Sequence, residues 1–134
     1  MRESKPFFDT NVIVYAFQAG AHKQEAALSL LVGGGVTSVQ ALNEFASVAR
    51  RKLGFGWTEI KEAVASICVL LPDPVPLRLQ THVRAVQMAE RFNFSIYDGL
   101  IVAAALEAGC SVFYTEDMQH GRKIDGLVIN NPFR

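Results

Sequence analysis

Short apolar runs alternate with longer amphipathic segments from one end of this chain to the other. Pro6 to Asp9 reads as a first strand, Val36 to Val39 as a second, Ser111 to Thr115 as a later one and Leu127 to Ile129 as a last short one. Between them lie segments with helical spacing. Strands separated by helices pair in parallel, because the chain must cross back over the sheet before each new strand. The expected architecture is α/β, a three-layer α/β/α sandwich around a central, mainly parallel sheet. At 134 residues the chain is expected to form one domain, residues 1–134, large enough to bury a sizeable core.

The helical segments follow from period and punctuation. Asn11 to Phe17 can start a helix with Thr10 or Asn11 as cap, and Gly20 breaks it. His22 to Leu31 is a second helix, stopped by Gly33-Gly34-Gly35. From Gln40 to Leu53 the residues Leu42, Phe45, Ala46, Ala49 and Leu53 repeat as a core-facing stripe. Thr58 is placed to cap the next helix, whose inner face is Ile60, Ala63, Val64 and Ile67, and Val69 to Leu71 reads as a strand after it. Pro72, Pro74 and Pro76 form a rigid connector. Leu79 to Phe92 is a helix with Val83, Val86 and Ala89 inside. Ser95 opens an apolar helix to Ala108, closed by Gly109, and residues 116 to 126 look polar and turn-like.

Charge narrows the function classes. Formal net charge is zero, with 13 basic and 13 acidic residues, so nucleic acid held by bulk electrostatics is not expected. Any such binding needs a local basic patch or bound cations. Asp9 and Asn11 interrupt the apolar run near the N-terminus, so it does not read as an export signal, and the stretch around Leu100 to Leu106 is far too short to span a membrane. Cys68 and Cys110 lack motif spacing and read as small core residues in a reducing compartment. A cytoplasmic protein is expected. An apolar fraction of 50% is slightly oily for a small monomer and points to an oligomer or a permanent partner.

Four acids stand apart from the surface carboxylates. Asp9 ends the first strand, where it can be a helix cap or a site acid. Glu44 lies opposite the apolar stripe of its helix, yet among Ala41 and Val48 rather than polar neighbours. Asp98 follows Ser95 by three, the spacing of a capping box, and also starts an apolar helix that should be central. Asp117 follows the strand Val112 to Thr115, where Asp is also a common turn residue, with Glu116 beside it as a substitute. All four come near a strand end, and ligands of open α/β sheets bind outside the carboxyl ends of the strands. Carboxylates converging there repel one another unless a cation neutralises them. An all-oxygen set suits Mg²⁺ or Mn²⁺, which can activate water against a phosphodiester.

The chain resembles the PIN-domain nucleases, specifically the toxin components of bacterial and archaeal toxin–antitoxin (VapBC-like) pairs. The carriers are Phe8-Asp9-Thr10-Asn11, the run Thr37 to Phe45 containing Glu44, Tyr97-Asp98, and the run Tyr114 to Gly121 containing Thr115 and Asp117. The resemblance implies that Asp9, Glu44, Asp98 and Asp117 form an acidic metal-binding and catalytic quartet, with Asn11 and Thr115 as supporting residues. It implies a Mg²⁺- or Mn²⁺-dependent endoribonuclease leaving a 5′-phosphate and a 3′-hydroxyl, acting as a homodimer and held inactive by a cognate antitoxin. Arg122 and Lys123 are the candidate phosphate contacts near the site, ahead of Arg50-Arg51-Lys52 at a helix end. His120 is conceivable as a base, although metal-activated water needs none. His22 and His82 read as ordinary helix residues, and Phe17, Phe45 and Trp57 as core or dimer contacts.

Rival readings are weaker. A phosphatase of the haloacid-dehalogenase type also opens on a strand ending in Asp, but needs a second Asp where Asn11 stands. A receiver-like domain wants paired acids before the first strand's acid and a lysine after a late strand, and neither is evident. The remaining alternative is a PIN-like scaffold that binds RNA or a partner without cutting.

Overall fold

The computed structural model describes residues 4–134. Strand β1 (Phe7–Phe8) is followed by α1 (Thr10–Phe17), α2 (Gln24–Val32), α3 (Val39–Lys52), α4 (Trp57–Leu70), α5 (Leu79–Phe92) and α6 (Ile96–Glu107). Then come β2 (Val112–Tyr114), β3 (Lys123–Ile124) and β4 (Leu127–Asn130). The sheet order is β1-β2-β4-β3, parallel except for the β3–β4 pair.

Adjacent residues of a strand point to opposite faces, and the two phenylalanines of β1 separate the two cores. Phe7 stacks on Phe113 at 5.4 Å and joins the core under α5 and α6, with Ile101, Val102 and Ala105. Phe8 stacks on Tyr114 at 5.4 Å and joins the core of α1 to α4, with Val12, Ile13, Phe45 and Ile67. Both rings are fully buried. A sheet with a packed helical layer on each face is the expected three-layer sandwich. On one side α5 and α6 lie almost backbone to backbone at Gly99, where a Cβ would stand 2.5 Å from the Ala85 carbonyl oxygen. No helix among the described residues is long and apolar enough to cross a membrane.

Several expected elements differ. Val69 to Leu71 is not a strand: α4 continues to Leu70, because Ile67 and Leu71 reach the core at a four-residue spacing while Val69 is 79% exposed. The second strand shrinks to single bridges, Phe7 to Val36 and Ser38 to Val75. It ends early because Ser38 caps α3, its hydroxyl accepting from the Ala41 N–H at 3.1 Å. The cap of α4 is Gly56 rather than Thr58, with the Glu59 carboxylate accepting from the Gly56 N–H at 2.9 Å. Residues 116–126 hold strand β3, turned into β4 by Asp125 and Gly126, both at positive φ (48° and 88°). In α5 the inner face is Thr81, Ala85 and Met88, whereas Val83 and Val86 are about half exposed (49% and 48%).

Candidate active site

Asp9 is the first residue beyond β1, and Thr115 the first beyond β2. Because the strands are parallel neighbours, the two arrive together at the carboxyl edge, where the Asp9 N–H donates to the Tyr114 carbonyl at 3.0 Å. Asp9 itself is the N-cap of α1, in place of Thr10 or Asn11. Its Oδ1 accepts from the Thr10 N–H at 2.7 Å and its Oδ2 from the Thr115 hydroxyl at 2.9 Å. Cap and site acid are therefore one residue. The carboxylate is buried.

Asn11 and Thr115 knit this edge to Asp117. The Asn11 amide donates to Thr115 Oγ1 and to Asp117 Oδ2, both at 3.0 Å. Its carbonyl oxygen accepts from the Glu116 N–H at 3.2 Å. Thr115 Oγ1 also accepts from the Asp117 N–H at 3.1 Å. Thr115 is thus saturated, giving one hydrogen to Asp9 and receiving two.

Glu44 and Asp98 approach from the two helical layers. Glu44 is half-buried on α3, and the Gln40 amide one turn earlier donates to its Oε2 at 3.0 Å. Asp98 is half-buried in the first turn of α6, its N–H donating to the Ser95 cap hydroxyl at 3.1 Å. The cap is Ser95, and only the Asp98 N–H takes part in it, so the Asp98 carboxylate is left for the site.

The acids feel one another. Burial pushes Asp9 up to about 7, with the Glu44 and Asp117 charges adding to the rise against the lowering effect of its hydrogen bonds. Burial also raises Glu44, to which Asp98 and Asp117 add, and raises Asp98, to which Asp117 adds. A cation between them would lower all three. Among the described residues no three His, Cys, Asp or Glu side chains stand close enough together to hold a metal ion as they are, so the acids would have to draw in around one. An open set of carboxylate oxygens under mutual repulsion suits Mg²⁺, which keeps several waters of its own, better than an ion that needs a full protein shell.

Glu116 points elsewhere. Its carboxylate accepts from Lys23 Nζ at 2.7 Å and from the Tyr15 hydroxyl, and these bonds pull it below the usual carboxylate range despite opposing desolvation. It is an anchor for the loop, not a substitute for Asp117. The i, i+4 spacing of Gln40 and Glu44 was readable in the chain; the Lys23–Glu116 pair, 93 residues apart, left no local signal.

The basic residues divide. The Arg122 guanidinium lies 5.3 Å from the ring centres of both Phe92 and Phe94, pinning the β3–β4 hairpin to the α5–α6 junction. Lys123 is exposed on β3. His120 Nδ1 accepts from the Asn131 N–H at 3.0 Å and so serves the C-terminal segment.

Comparison with known proteins agrees with this architecture. A family model described as PIN domain matches residues 7–125. No curated protein is similar enough to count as a match. Among solved structures, a toxin–antitoxin complex from Klebsiella pneumoniae matches with a TM-score of 0.72 at 16% identity, covering 96% of this chain and 98% of that one. VapC20 of Mycobacterium tuberculosis, a sarcin-ricin loop cleaving toxin, matches at 0.66 and 18% identity, over 84% and 91% of the two chains. VapBC2 from Rickettsia felis, bound to a DNA fragment from its promoter, matches at 0.66 and 17%, over 94% and 97%.

Proposed function

The chain belongs to the PIN domain family, and from that premise we propose that it is a metal-dependent endoribonuclease, the toxin of a toxin–antitoxin pair. One observation carries the reading: Asp9, Asn11, Thr115 and Asp117 form a single hydrogen-bonded network at the carboxyl edge, and the Asp117 charge reaches both Glu44 and Asp98, raising the proton affinity of each. Asp9, Glu44, Asp98 and Asp117 would hold Mg²⁺ or Mn²⁺, which when bound neutralises phosphate charge and makes water a better nucleophile at neutral pH.

The chain's own residues do the rest. Thr115 holds the buried Asp9 carboxylate in place through its hydroxyl, and the Thr10 N–H holds the other oxygen. Asn11 sets the Asp117 carboxylate against the same point. Gln40 holds Glu44 extended along α3. The site keeps its geometry before substrate arrives, which is what an in-line displacement needs.

A cognate antitoxin protein is the proposed partner, by analogy with the toxin–antitoxin complexes that share the fold. A homodimer is the proposed assembly. Leu79, Val83 and Val86 form an apolar stripe at i, i+4, i+7 on α5, exposed by 77%, 49% and 48%, and a second chain would cover it. The proposed location is the cytoplasm.

The test is cleavage of structured RNAs with Mg²⁺, Mn²⁺ or EDTA, by wild type, Asp9→Asn and Asp98→Asn. Cutting with either metal and none in EDTA or in the variants is expected. Cleavage that survives EDTA, or both substitutions, ends the metal-nuclease reading. RNA binding without cutting under every condition would favour the scaffold alternative.

A further inference from the structure

Two shallow clefts meet at Glu44. One, of about 420 Å³, runs between α1 and α3 from Asp117 and Glu44, past Val14 and Val48, to Lys52. The other, of about 340 Å³, lies on the far side of Glu44 and is lined by Gln40, Asn43, Ser47 and Tyr97. Glu44 is the wall they share, so together they make a path across the acids from the end of α3 to the start of α6.

The two ends of the path differ chemically. Of the three cations closing α3, Arg50 is spent on the Phe55 carbonyl at 3.1 Å and on the Trp57 ring at 4.6 Å, and Arg51 on the Ser47 hydroxyl at 3.3 Å. Lys52 makes no ion pair or side-chain hydrogen bond among the described residues, and it faces the acid cleft. Eight residues separate it from Glu44, about 12 Å along the helix axis at 1.5 Å per residue. At the other end Tyr97, next to Asp98, is 61% exposed. Its neighbours Gln40, Asn43 and Ser47 offer amides and a hydroxyl rather than charge.

We infer that these clefts are a track for single-stranded RNA, with Lys52 holding a backbone phosphate on one side of the acids and Tyr97 stacking a base on the other. The inference rests on the ribonuclease reading but adds residues that reading does not use. A chain of zero net charge cannot hold RNA by its overall field, and the acids themselves repel it. Local contacts must then hold the strand, and a free lysine with an exposed aromatic are the two kinds that single-strand binding uses. Asn43, exposed beside Tyr97, can donate to and accept from a base edge, so the Tyr97 side is where sequence preference would arise.

Binding, rather than cutting, tests this. The protein is the full chain carrying Asp9→Asn, a residue that lines neither cleft. The probe is a labelled random-sequence single-stranded oligoribonucleotide at fixed Mg²⁺, titrated over a range of monovalent salt. Adding Lys52→Ala should weaken binding and flatten the slope of log Kd against log salt by about 0.7, the loss of one phosphate contact on a single strand; Lys52→Arg should restore it. Adding Tyr97→Ala should weaken binding roughly 5- to 150-fold without changing the salt slope, and Tyr97→Phe should keep it. Both side chains are exposed, so the melting temperature should hold.

An unchanged salt slope in Lys52→Ala, or unchanged affinity in Tyr97→Ala, overturns the track. So does release of a co-expressed antitoxin by Lys52→Ala while RNA binding stays intact, which would make the cleft a protein seat. This binding pattern in a wild-type chain that never cuts would leave the track standing and remove the nuclease reading, so the two fail separately.

Discussion

Replacing Asp9 with asparagine should stabilise this protein at neutral pH in the absence of metal. Burial pushes the folded-state pKa of Asp9 up to about 7 from an ordinary value of 3.8. Below the lower value the group is protonated in both states and costs nothing. As pH rises the unfolded chain ionises first, and the folded state is penalised until the pH passes about 7. At 1.36 kcal/mol per unit the full penalty is about 4 kcal/mol. Asparagine removes that charge but meets Thr115 awkwardly. Its oxygen can still accept from the Thr10 N–H, but its NH₂ then faces a hydroxyl that already receives the Asn11 amide and the Asp117 N–H. One misplaced buried donor costs about 1–3 kcal/mol, leaving a net gain of roughly 1–3 kcal/mol near pH 8. The assay is urea unfolding in EDTA from about pH 5 to about pH 8. The advantage of Asp9→Asn should grow across that range, and added Mg²⁺ should stabilise wild type more than the variant. A variant less stable than wild type near pH 8 in EDTA, or a difference that ignores pH, would refute the claim that Asp9 is a charge buried among acids.

Other perturbations separate the roles of individual residues. Thr115→Val leaves Asp9, Asn11 and the Asp117 N–H without their shared partner and should cost about 1–3 kcal/mol, whereas Thr115→Ser should be close to wild type by chemical unfolding. Gly99→Ala forces α5 and α6 apart at the Ala85 carbonyl and should cost about 1–3 kcal/mol by the same measurement. Asp117→Asn should abolish RNA cleavage, while Glu116→Gln, whose side chain faces Lys23 and Tyr15, should keep a Mg²⁺-dependent rise in melting temperature. Val83→Asp, in the exposed stripe of α5, should turn a dimer into a monomer by light scattering without lowering the melting temperature much.

The sheet and its helices were legible because apolar period and glycine punctuation are local. The misread elements are those decided by what lay across the fold. Val69 to Leu71 has strand-like residues, but continuing α4 puts Leu71 into the core one turn beyond Ile67, and the helix won. Val83 and Val86 look like core residues, but the helix turns Thr81, Ala85 and Met88 inward and brings the Ala85 backbone against Gly99. The Asp125-Gly126 hairpin had a readable turn signal hidden in a polar stretch. At the site, each acid had a local alternative as a cap, turn or surface residue, and for Asp9 the capping alternative proved true as well. The role of Glu116 was not legible, since its partner Lys23 lies at the other end of the sequence. The Arg122 packing on Phe92 and Phe94 was not legible either, since nothing in the sequence signals that the three meet.

The contact between Asp9 and Thr115 spans 106 residues. During synthesis Asp9 is made 106 residues ahead of Thr115. At roughly 5–20 residues per second, that gap lasts on the order of ten seconds. Throughout it α1 to α6 can form and pack, yet β1 has no β2 beside it and Asp9 has no hydroxyl to hold its carboxylate. A partly made chain, or one cut short before β2, therefore carries three of the four acids without the means to assemble them. The acid cluster is therefore complete only once β2 and Asp117 have been made, which leaves the whole of that interval for a partner to be in place.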